Sequence, residues 1–187
     1  MTPQVSAAAE SAMLPAGAPA LAPRRVQLRT GRSDDASAIH ALVEAHLAEG
    51  HLLPRTRQEI ETHAARFVVA TDGRAVVACA ELAPLSTRVA EVRSLVVGED
   101  VRREGVGRLL VDELARRARV LGFDTLCAFT HGPGYFVRMG FSLVPHHWMP
   151  EKIATDCQSC ALFRRCGQHA VARSLTDTGR GGRLARA

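Results

Sequence analysis

A run of seven residues, Arg102-Arg103-Glu104-Gly105-Val106-Gly107-Arg108, has the composition of a phosphate-binding turn. It follows a β-branched stretch at residues 91–97, which predicts a strand, and it leads into apolar residues at helical spacing. The first amide N–H groups of a helix have no intrahelical partner, so they can bind an anion through the backbone alone. Glycine at positions 105 and 107 lets a phosphate approach the backbone, and the arginines add positive charge. The turn therefore predicts binding of a phosphorylated ligand, with an ordinary tight turn before a surface helix as the alternative.

Four potential metal ligands lie close together near the C-terminus. Cys157, Cys160, Cys166 and His169 fall within thirteen residues, and thiolate and imidazole groups suit Zn²⁺. Their spacing is not that of a strong zinc signature, and Cys157 and Cys160 would share one helix face, where core residues also lie. The odd count of five cysteines and the lack of a secretion signal favour free thiols in a reducing compartment. We therefore expect structural thiols, no bound metal and a cytoplasmic location.

Length and composition restrict the class of protein. The chain has 187 residues and is 47% hydrophobic, which is enough for one domain with a sizeable core. No stretch approaches the ~18 consecutive apolar residues that are needed to cross a bilayer. A net charge of +5 is compatible with nucleic-acid binding, but the arginines are scattered and aromatic residues for base stacking make up only 4%. An anionic small molecule accounts for the charge equally well, so we expect neither a nucleic acid nor a membrane as a partner.

Strands and helices alternate around the central turn. The pattern of apolar residues predicts strands at residues 25–29, 67–70, 75–82, 91–97 and 125–129, and a last strand through Val144. It predicts helices at residues 34–49, 56–63, 106–121 and 135–139. The resulting order, β-α-(α)-β-β-β-α-β-α-β, indicates an α+β fold with the strand, turn and helix described above at its centre.

The spacing Arg-x-x-Gly-x-Gly after a valine-rich strand resembles the acetyl-coenzyme A loop of the GNAT superfamily of N-acetyltransferases. Three further stretches resemble the short, kinase-less N-acetylglutamate synthases: residues 51–56 (HLLPRT), 91–95 (EVRSL) and 149–160 (MPEKIATDCQSC). The resemblance covers residues 25–172 and implies the GNAT fold, a central splayed mixed sheet flanked by helices. We expect three regions: a disordered leader at residues 1–23, the acetyltransferase domain at residues 24–172 with a cysteine-containing helical segment at its end, and a flexible tail at residues 173–187.

The resemblance implies acetyl-coenzyme A as the cosubstrate, bound where the strand at residues 91–97 and the strand at residues 125–129 diverge. Backbone groups of the first strand would bond the pantetheine arm, namely those of Leu95, Val96 and Val97. The turn and the helix start would hold the pyrophosphate, with Arg102, Arg103, Glu104, Gly105, Val106, Gly107 and Arg108 as the binding residues.

The reaction implied is direct attack of the α-amine of L-glutamate on the thioester. Because that amine is protonated at neutral pH, a base must take a proton. Glu91 is our candidate, since the strand period of two places it on the same face as Arg93; a Glu91–Arg93 surface ion pair is the alternative. Tyr135 is the candidate acid for the leaving thiolate, one residue before the position at which many GNAT enzymes carry a tyrosine. Protonation by solvent is the alternative, because the pKa of a free thiol is only about 8–9.

The acceptor site needs cationic side chains on separate segments, because glutamate carries two carboxylates. By resemblance to the longer synthases, Arg55 and Cys79 lie beside the acceptor, and His131 stands where those enzymes present arginine. We assign Arg55, Cys79, Arg93 and His131 to this site. The alternative for Arg55 is a solvated loop charge, and for Cys79 it is a thiol buried in a strand.

The resemblance thus predicts an enzyme for the first step of arginine biosynthesis. We expect it to be a homodimer, because exposed sheet edges in this fold often pair. Two other functions stay open at this point. One is acetylation of another small amine or of a protein N-terminus, and the other is a zinc- or nucleic-acid-binding regulatory module that keeps the fold without turnover.

Overall fold

A computed structural model of the chain describes residues 26–49, 52–158, 160 and 163–176. The strands in this part are β1 (Gln27–Thr30), β2 (Phe67–Asp72), β3 (Ala75–Pro84), β4 (Val89–Val97), β5 (Thr125–Thr130), β6 (Ser142–Val144) and β7 (His169–Ser174). The α-helices are α1 (Ala36–Ala45), α2 (Arg57–Thr62), α3 (Val106–Val120), α4 (Pro133–Val137) and α5 (Pro150–Lys152), which continues into a π-helical turn (Ile153–Cys157). The predicted leader, and residues 177–187 of the predicted tail, lie outside the described residues.

One mixed sheet joins these strands in the order β1-β2-β3-β4-β5-β7-β6. β4 and β5 run parallel, and the other neighbouring strands are antiparallel. With helices on both faces, this arrangement confirms the predicted α+β fold. None of the helices in the described part combines the length and the apolar surface needed to cross a membrane.

Strand β7 corrects the prediction for the C-terminal region. The sequence predicted a domain that ends at residue 172 with a cysteine-containing helical segment in its C-terminal part, and a flexible tail from residue 173. Instead, His169–Ser174 pairs with β5 and β6, so that Arg173 and Ser174 belong to the sheet. Only Ala170 and Val171 of this strand are buried, and two apolar residues are too short a signal to identify a strand in the sequence.

Apolar stripes on the helices cover the two faces of the sheet. Leu110 and Leu114 of α3 are fully buried against one face, and Ile39 of α1 and Ile60 of α2 are fully buried against the other. Burial of each such side chain contributes ~1.5–3 kcal/mol to the free energy of folding. This packing fixes the first turn of α3 beside the end of β4, within van der Waals distance of Val97.

The gap between β4 and β5 is the feature of the fold that matters most for function. The two strands pair only over their first residues, and the last pair is Glu91 with Cys127. Beyond this pair the strands diverge, as predicted, and β4 carries a bulge at which the register with β3 shifts. Ser94 lies in the bulge with a φ of 46°, a conformation that non-glycine residues rarely adopt and that is enriched at functional sites. The peptide groups of β4 beyond Glu91 are therefore turned toward an open groove.

Candidate active site

A groove of about 920 Å³ follows the gap between β4 and β5. Its walls come from β4, the turn before α3, β5, α4 and the segment after Met149. One end, which we call the loop end, is formed by residues 95–97, residues 102–108 and Tyr135. The other, which we call the charged end, is formed by Arg55, Glu91, Arg93, His131, Lys152 and Asp156.

The turn at the loop end has the conformation that the glycine spacing predicts. Gly105 has a φ of 81° and lies in the left-handed region, as does Arg103 with a φ of 67°. Gly105 precedes α3 without a side-chain cap, so the first amides of the helix are available to a ligand. Arg102 braces the turn, because its Nε donates to the carbonyl of Val97 at 3.0 Å and its Nη2 donates to Glu49 at 2.6 Å.

The two glycines of the turn serve different purposes. A Cβ atom on Gly105 would meet nothing within 4 Å, so this glycine is needed for its φ and for the open space above it. A Cβ atom on Gly107 would lie 2.5 Å from the hydroxyl of Tyr135 and 3.4 Å from a methyl group of Val97. Glycine at 107 therefore allows Tyr135 to pack directly on the first turn of α3.

The hydroxyl of Tyr135 is the unusual polar group of the loop end. It is buried, and it has no hydrogen-bond partner among the described residues. Burial raises the pKa of this hydroxyl, and the nearby charge of Asp112 acts in the same direction. A buried donor without a partner costs about 1–3 kcal/mol, so an acceptor atom placed at this point would be favourable.

The charged end is organised around Glu91, whose side chain is almost completely buried. Its Oε2 accepts from Nε of Arg93 at 2.5 Å and from Nζ of Lys152 at 2.9 Å, and its Oε1 lies 2.8 Å from the same Nζ. Burial alone would lower the pKa of Arg93, but the charge and hydrogen bond of Glu91, together with the charges of Asp156 and Glu81, hold that pKa above the ordinary value. The structure thus contains the Glu91–Arg93 ion pair that the sequence left as the alternative to a free base, although the pair is buried.

Lys152 and Asp156 complete this network, and the sequence did not identify either of them as a site residue. Asp156 accepts from Nζ of Lys152 at 2.8 Å and from Nη2 of Arg93. The two residues are four positions apart on the α5 segment, a spacing typical of any helical ion pair. That signal does not reveal the distant partner on β4, which only the fold brings within reach.

Arg55 also lies in the groove, and it is paired with a buried carboxylate. Its Nη1 donates to Oε2 of Glu81 at 2.8 Å, and the side chain of Glu81 is only 1% exposed. Its Nε lies 3.0 Å from Glu59, within ion-pair distance but without the geometry of a hydrogen bond. The predicted alternative of a solvated loop charge is therefore wrong, because the side chain of Arg55 is 12% exposed.

Two of the predicted site residues do not reach the groove. Cys79 lies in the core between β3 and α1, where its Sγ donates to the carbonyl of Ser94 at 3.6 Å. Burial raises the pKa of this thiol to about 12. Glu104 is exposed and does not line the groove, because the turn directs its side chain to solvent. The remaining predicted residues all line the groove, namely Arg55, Glu91, Arg93, Leu95, Val96, Val97, Arg102, Arg103, Gly105, Val106, Gly107, Arg108, His131 and Tyr135.

The C-terminal cysteines do not form a metal centre in the described residues. No group of three or more His, Cys, Asp or Glu side chains in that part of the chain is arranged to hold a metal ion. Cys157, Cys160 and Cys166 are free thiols. Burial raises the pKa of Cys157, and the adjacent charge of Lys152 only partly opposes this.

The splayed strands, the glycine turn and the groove between them define an N-acetyltransferase. The model of the Acetyltransferase (GNAT) family matches residues 35–141, and the chain belongs to this family. This confirms the family predicted from the turn at residues 102–108.

The chain is also similar to individual proteins. An uncharacterized N-acetyltransferase of Chlorobaculum tepidum is 34% identical over 148 residues, which are 79% of this chain and 96% of that protein. An amino-acid acetyltransferase of Salmonella arizonae is 27% identical over 127 residues, and the match spans 67% of this chain but only 29% of that protein. Among solved structures, N-acetylglutamate synthase from Neisseria gonorrhoeae, complexed with coenzyme A and N-acetyl-glutamate, has a TM-score of 0.73 and 26% identity. That match covers 81% of this chain and 35% of the synthase chain.

Proposed function

We propose that this enzyme transfers an acetyl group from acetyl-coenzyme A to the α-amine of L-glutamate, the first step of arginine biosynthesis. Acetyl-coenzyme A is the acyl donor. The glutamate assignment is supported by one observation above all, the concentration of three buried or half-buried cations at the charged end, Arg55, Arg93 and Lys152. Similarity to an N-acetylglutamate synthase and to an amino-acid acetyltransferase supports the same acceptor.

The loop end suits acetyl-coenzyme A on three independent grounds. The uncapped amides of α3 and the left-handed turn before it provide donors for a pyrophosphate. The unpaired edge of β4 provides peptide groups for the amides of a pantetheine arm, since β4 and β5 separate beyond Glu91. The hydroxyl of Tyr135 is a buried donor without a partner at the point where these two parts meet. This position favours a ligand contact for Tyr135 over the acid role that the sequence suggested.

The charged end suits an acceptor that carries carboxylates. Burying a carboxylate without a charged partner is strongly unfavourable, and each charge-assisted hydrogen bond contributes about 1.5–3 kcal/mol. Arg93 and Lys152 lie together on one side of the groove, and Arg55 lies on a separate segment before α2. Two separated cationic groups match the two carboxylates of glutamate better than they match an uncharged amine or a protein N-terminus.

The chemistry follows from the donor and the acceptor. The acceptor nitrogen attacks the thioester carbonyl, the C–N bond forms, the C–S bond breaks and the thiolate leaves with the electron pair. The nitrogen loses its protons to water in the groove, and solvent protonates the thiolate, whose ordinary pKa is about 8–9. Backbone amides of β4 near Val97 stabilise the oxyanion that develops on the carbonyl.

Glu91 acts in this scheme as a positioning residue. A general base needs an oxygen that is free to take a proton, and both oxygens of Glu91 face cations in the structure. Its role is to hold Arg93 and Lys152 at the charged end, at the point where β4 and β5 separate.

A test of the function measures thiol release from acetyl-coenzyme A in the presence of single acceptors. The panel contains L-glutamate, L-glutamine, L-lysine, a peptide with a free N-terminus and a blank without acceptor, and mass spectrometry identifies the product. We expect N-acetylglutamate as the product with the highest kcat/KM. Equal use of glutamine or of an uncharged amine would refute the glutamate assignment and leave the acetyltransferase intact. Thiol release with none of the acceptors would instead support a regulatory module.

A further inference from the structure

Two carboxylates at the charged end compete for the same two cations. Glu91 bonds to Arg93 and to Lys152, with distances between 2.5 and 2.9 Å. Asp156 bonds to the same Lys152 at 2.8 Å and to the same Arg93. Each cation is therefore shared between one carboxylate from β4 and one from the segment that follows α5.

The two carboxylates differ in how firmly they are held. The side chain of Glu91 is 4% exposed and belongs to a strand paired on both sides at this position, so it has no room to move. The side chain of Asp156 is 36% exposed and lies on a short π-helical turn. A partly exposed ion pair contributes little to stability, so Asp156 exchanges with solvent or ligand at far lower cost than Glu91 does.

The cations do not depend on Asp156 for their position. Lys152 is fixed by Glu91 and by the ring of Phe129, whose centroid lies 5.3 Å from Nζ. The segment itself is anchored by Met149, which is buried with Val89 and Cys127 beneath the sheet. Arg93 and Lys152 therefore remain aimed into the groove when Asp156 leaves.

We propose that Arg93 and Lys152 form the subsite for one carboxylate of the acceptor, and that Asp156 occupies this subsite as an internal stand-in until the acceptor displaces it. This inference rests on the proposed function, in that it assumes an acceptor with a carboxylate. It assigns Lys152 and Asp156 to acceptor selection, with Lys152 as a ligand of the substrate and Asp156 as its competitor. An acceptor without a carboxylate has nothing to offer the two cations in exchange for Asp156.

The acceptor cannot bind while Asp156 fills the subsite. Its apparent affinity is therefore proportional to the fraction of protein in which the subsite is open. Removing the charge of Asp156 should therefore improve acceptor binding. A purely structural role for Asp156 predicts the opposite, since loss of a supporting ion pair would loosen the two cations and weaken binding.

The experiment compares Asp156→Asn with Glu151→Gln, which makes the same change from carboxylate to amide on the same segment but outside the groove. The readouts are the KM for glutamate at saturating acetyl-coenzyme A and the inhibition constant of glutarate, a dicarboxylate that has no amine to acetylate. For Asp156→Asn we expect both constants to fall by about threefold to tenfold. For Glu151→Gln we expect both constants to stay at the parent values.

A third variant, Lys152→Met, tests the subsite itself. It should raise both constants by about tenfold or more, because it removes a charge-assisted contact to the bound carboxylate. The inference is overturned if Asp156→Asn leaves both constants unchanged or raises them. It is also overturned if the inhibition constant of glutarate is the same for the Lys152→Met variant and the parent. If the parent acetylates a different amine, the glutamate assignment fails separately, and glutarate inhibition measured against that amine still tests the subsite.

Discussion

The two ends of the groove are built in different ways. Apart from Tyr135, the loop end comes from one stretch of chain, residues 95–108, and it presents mainly backbone groups and positive helix-terminal charge. The charged end comes from segments that are far apart in the sequence, around Arg55, Arg93 and Lys152, and it presents side chains. The loop end has donors waiting for a ligand, whereas the cations of the charged end are already paired with protein carboxylates.

This contrast separates what the fold determines from what single residues determine. Backbone amides at a helix start bind the same ligand whatever the neighbouring side chains are, so the loop end tolerates substitutions that keep its glycines. In the proposed function, a balance of buried charges selects the acceptor, and one substitution there alters both the site and the stability of the sheet beneath it. We therefore expect variants at the loop end to affect donor binding alone, and variants at the charged end to affect acceptor binding and folding together.

The largest effect is expected for Gly107→Val at the loop end. Its Cβ would displace the hydroxyl of Tyr135, 2.5 Å away, and its branches would fill the groove beside the first turn of α3. We expect acetyl-coenzyme A to bind about a hundredfold more weakly, the equivalent of losing two charge-assisted hydrogen bonds of about 1.5 kcal/mol each. Isothermal titration calorimetry measures the change directly.

Gly134→Val is the matched control for this variant. A Cβ on Gly134 makes only an ordinary contact, 3.7 Å from the guanidinium of Arg138, and Gly134 does not line the groove. Donor binding should be close to that of the parent. Equal binding by Gly107→Val and the parent would show that the loop end does not hold the donor.

The second prediction concerns Arg55 and couples binding to stability. Arg55→Ala leaves the buried carboxylate of Glu81 without its partner, which should cost about 3 kcal/mol of the free energy of unfolding. Adding Glu81→Gln should restore most of that stability, because the buried charge is removed. The KM for glutamate should stay about tenfold above the parent value in the double variant, since the contact to the acceptor is still missing.

Chemical denaturation and steady-state kinetics on the same preparations separate the two effects. If the double variant had the parent KM, Arg55 would be a structural partner of Glu81 and no more. If Arg55→Ala alone were as stable as the parent, the claim that Arg55 and Glu81 form a buried ion pair would be wrong.

The third prediction distinguishes positioning by Glu91 from base catalysis. Glu91→Gln removes the carboxylate that holds Arg93 and Lys152, so the KM for glutamate should rise by about tenfold. The dependence of kcat on pH should keep its shape. Loss of a general base would instead reduce kcat by about a hundredfold or more and would remove a limb from the pH profile. Steady-state kinetics of the parent and the variant, measured between about pH 6 and pH 9, distinguish the two roles because only loss of a general base lowers kcat strongly.

The same contrast explains how much of the molecule could be predicted from the sequence. The strand at residues 91–97, the glycine turn and α3 are local, with strong periodicity and a definite spacing, and the sequence predicts all three. Strand β7 and the Lys152–Asp156 pair depend on long-range contacts, because β7 takes its place between β5 and β6 and Lys152 meets a carboxylate 61 residues away. Sequence patterns carry no information on such pairings, which is why the acceptor candidates missed Lys152.

The smallest effect is expected for Cys79→Ala, because Cys79 lies opposite Val96 in the core and outside the groove. The KM for glutamate should equal that of the parent, because the thiol is buried between β3 and α1 and donates to the carbonyl of Ser94 in the bulge of β4. The free energy of unfolding should fall by about 1 kcal/mol for the small cavity left behind. A changed KM for glutamate with an unchanged free energy of unfolding would show that Cys79 belongs to the acceptor site.

A pH series adds a second signature of this buried thiol. Burial raises the pKa of Cys79 from an ordinary value of 9.0 to about 12, so the folded protein keeps a proton that the unfolded chain releases. The thiol's contribution to stability is present below pH 9 and is lost as the pH rises toward 12. Unfolding measured from pH 8 upward should therefore show a shallower loss of stability in Cys79→Ala than in the parent. Cys166→Ala, which changes an exposed thiol, should follow the parent, and identical slopes in all three proteins would contradict the burial of Cys79.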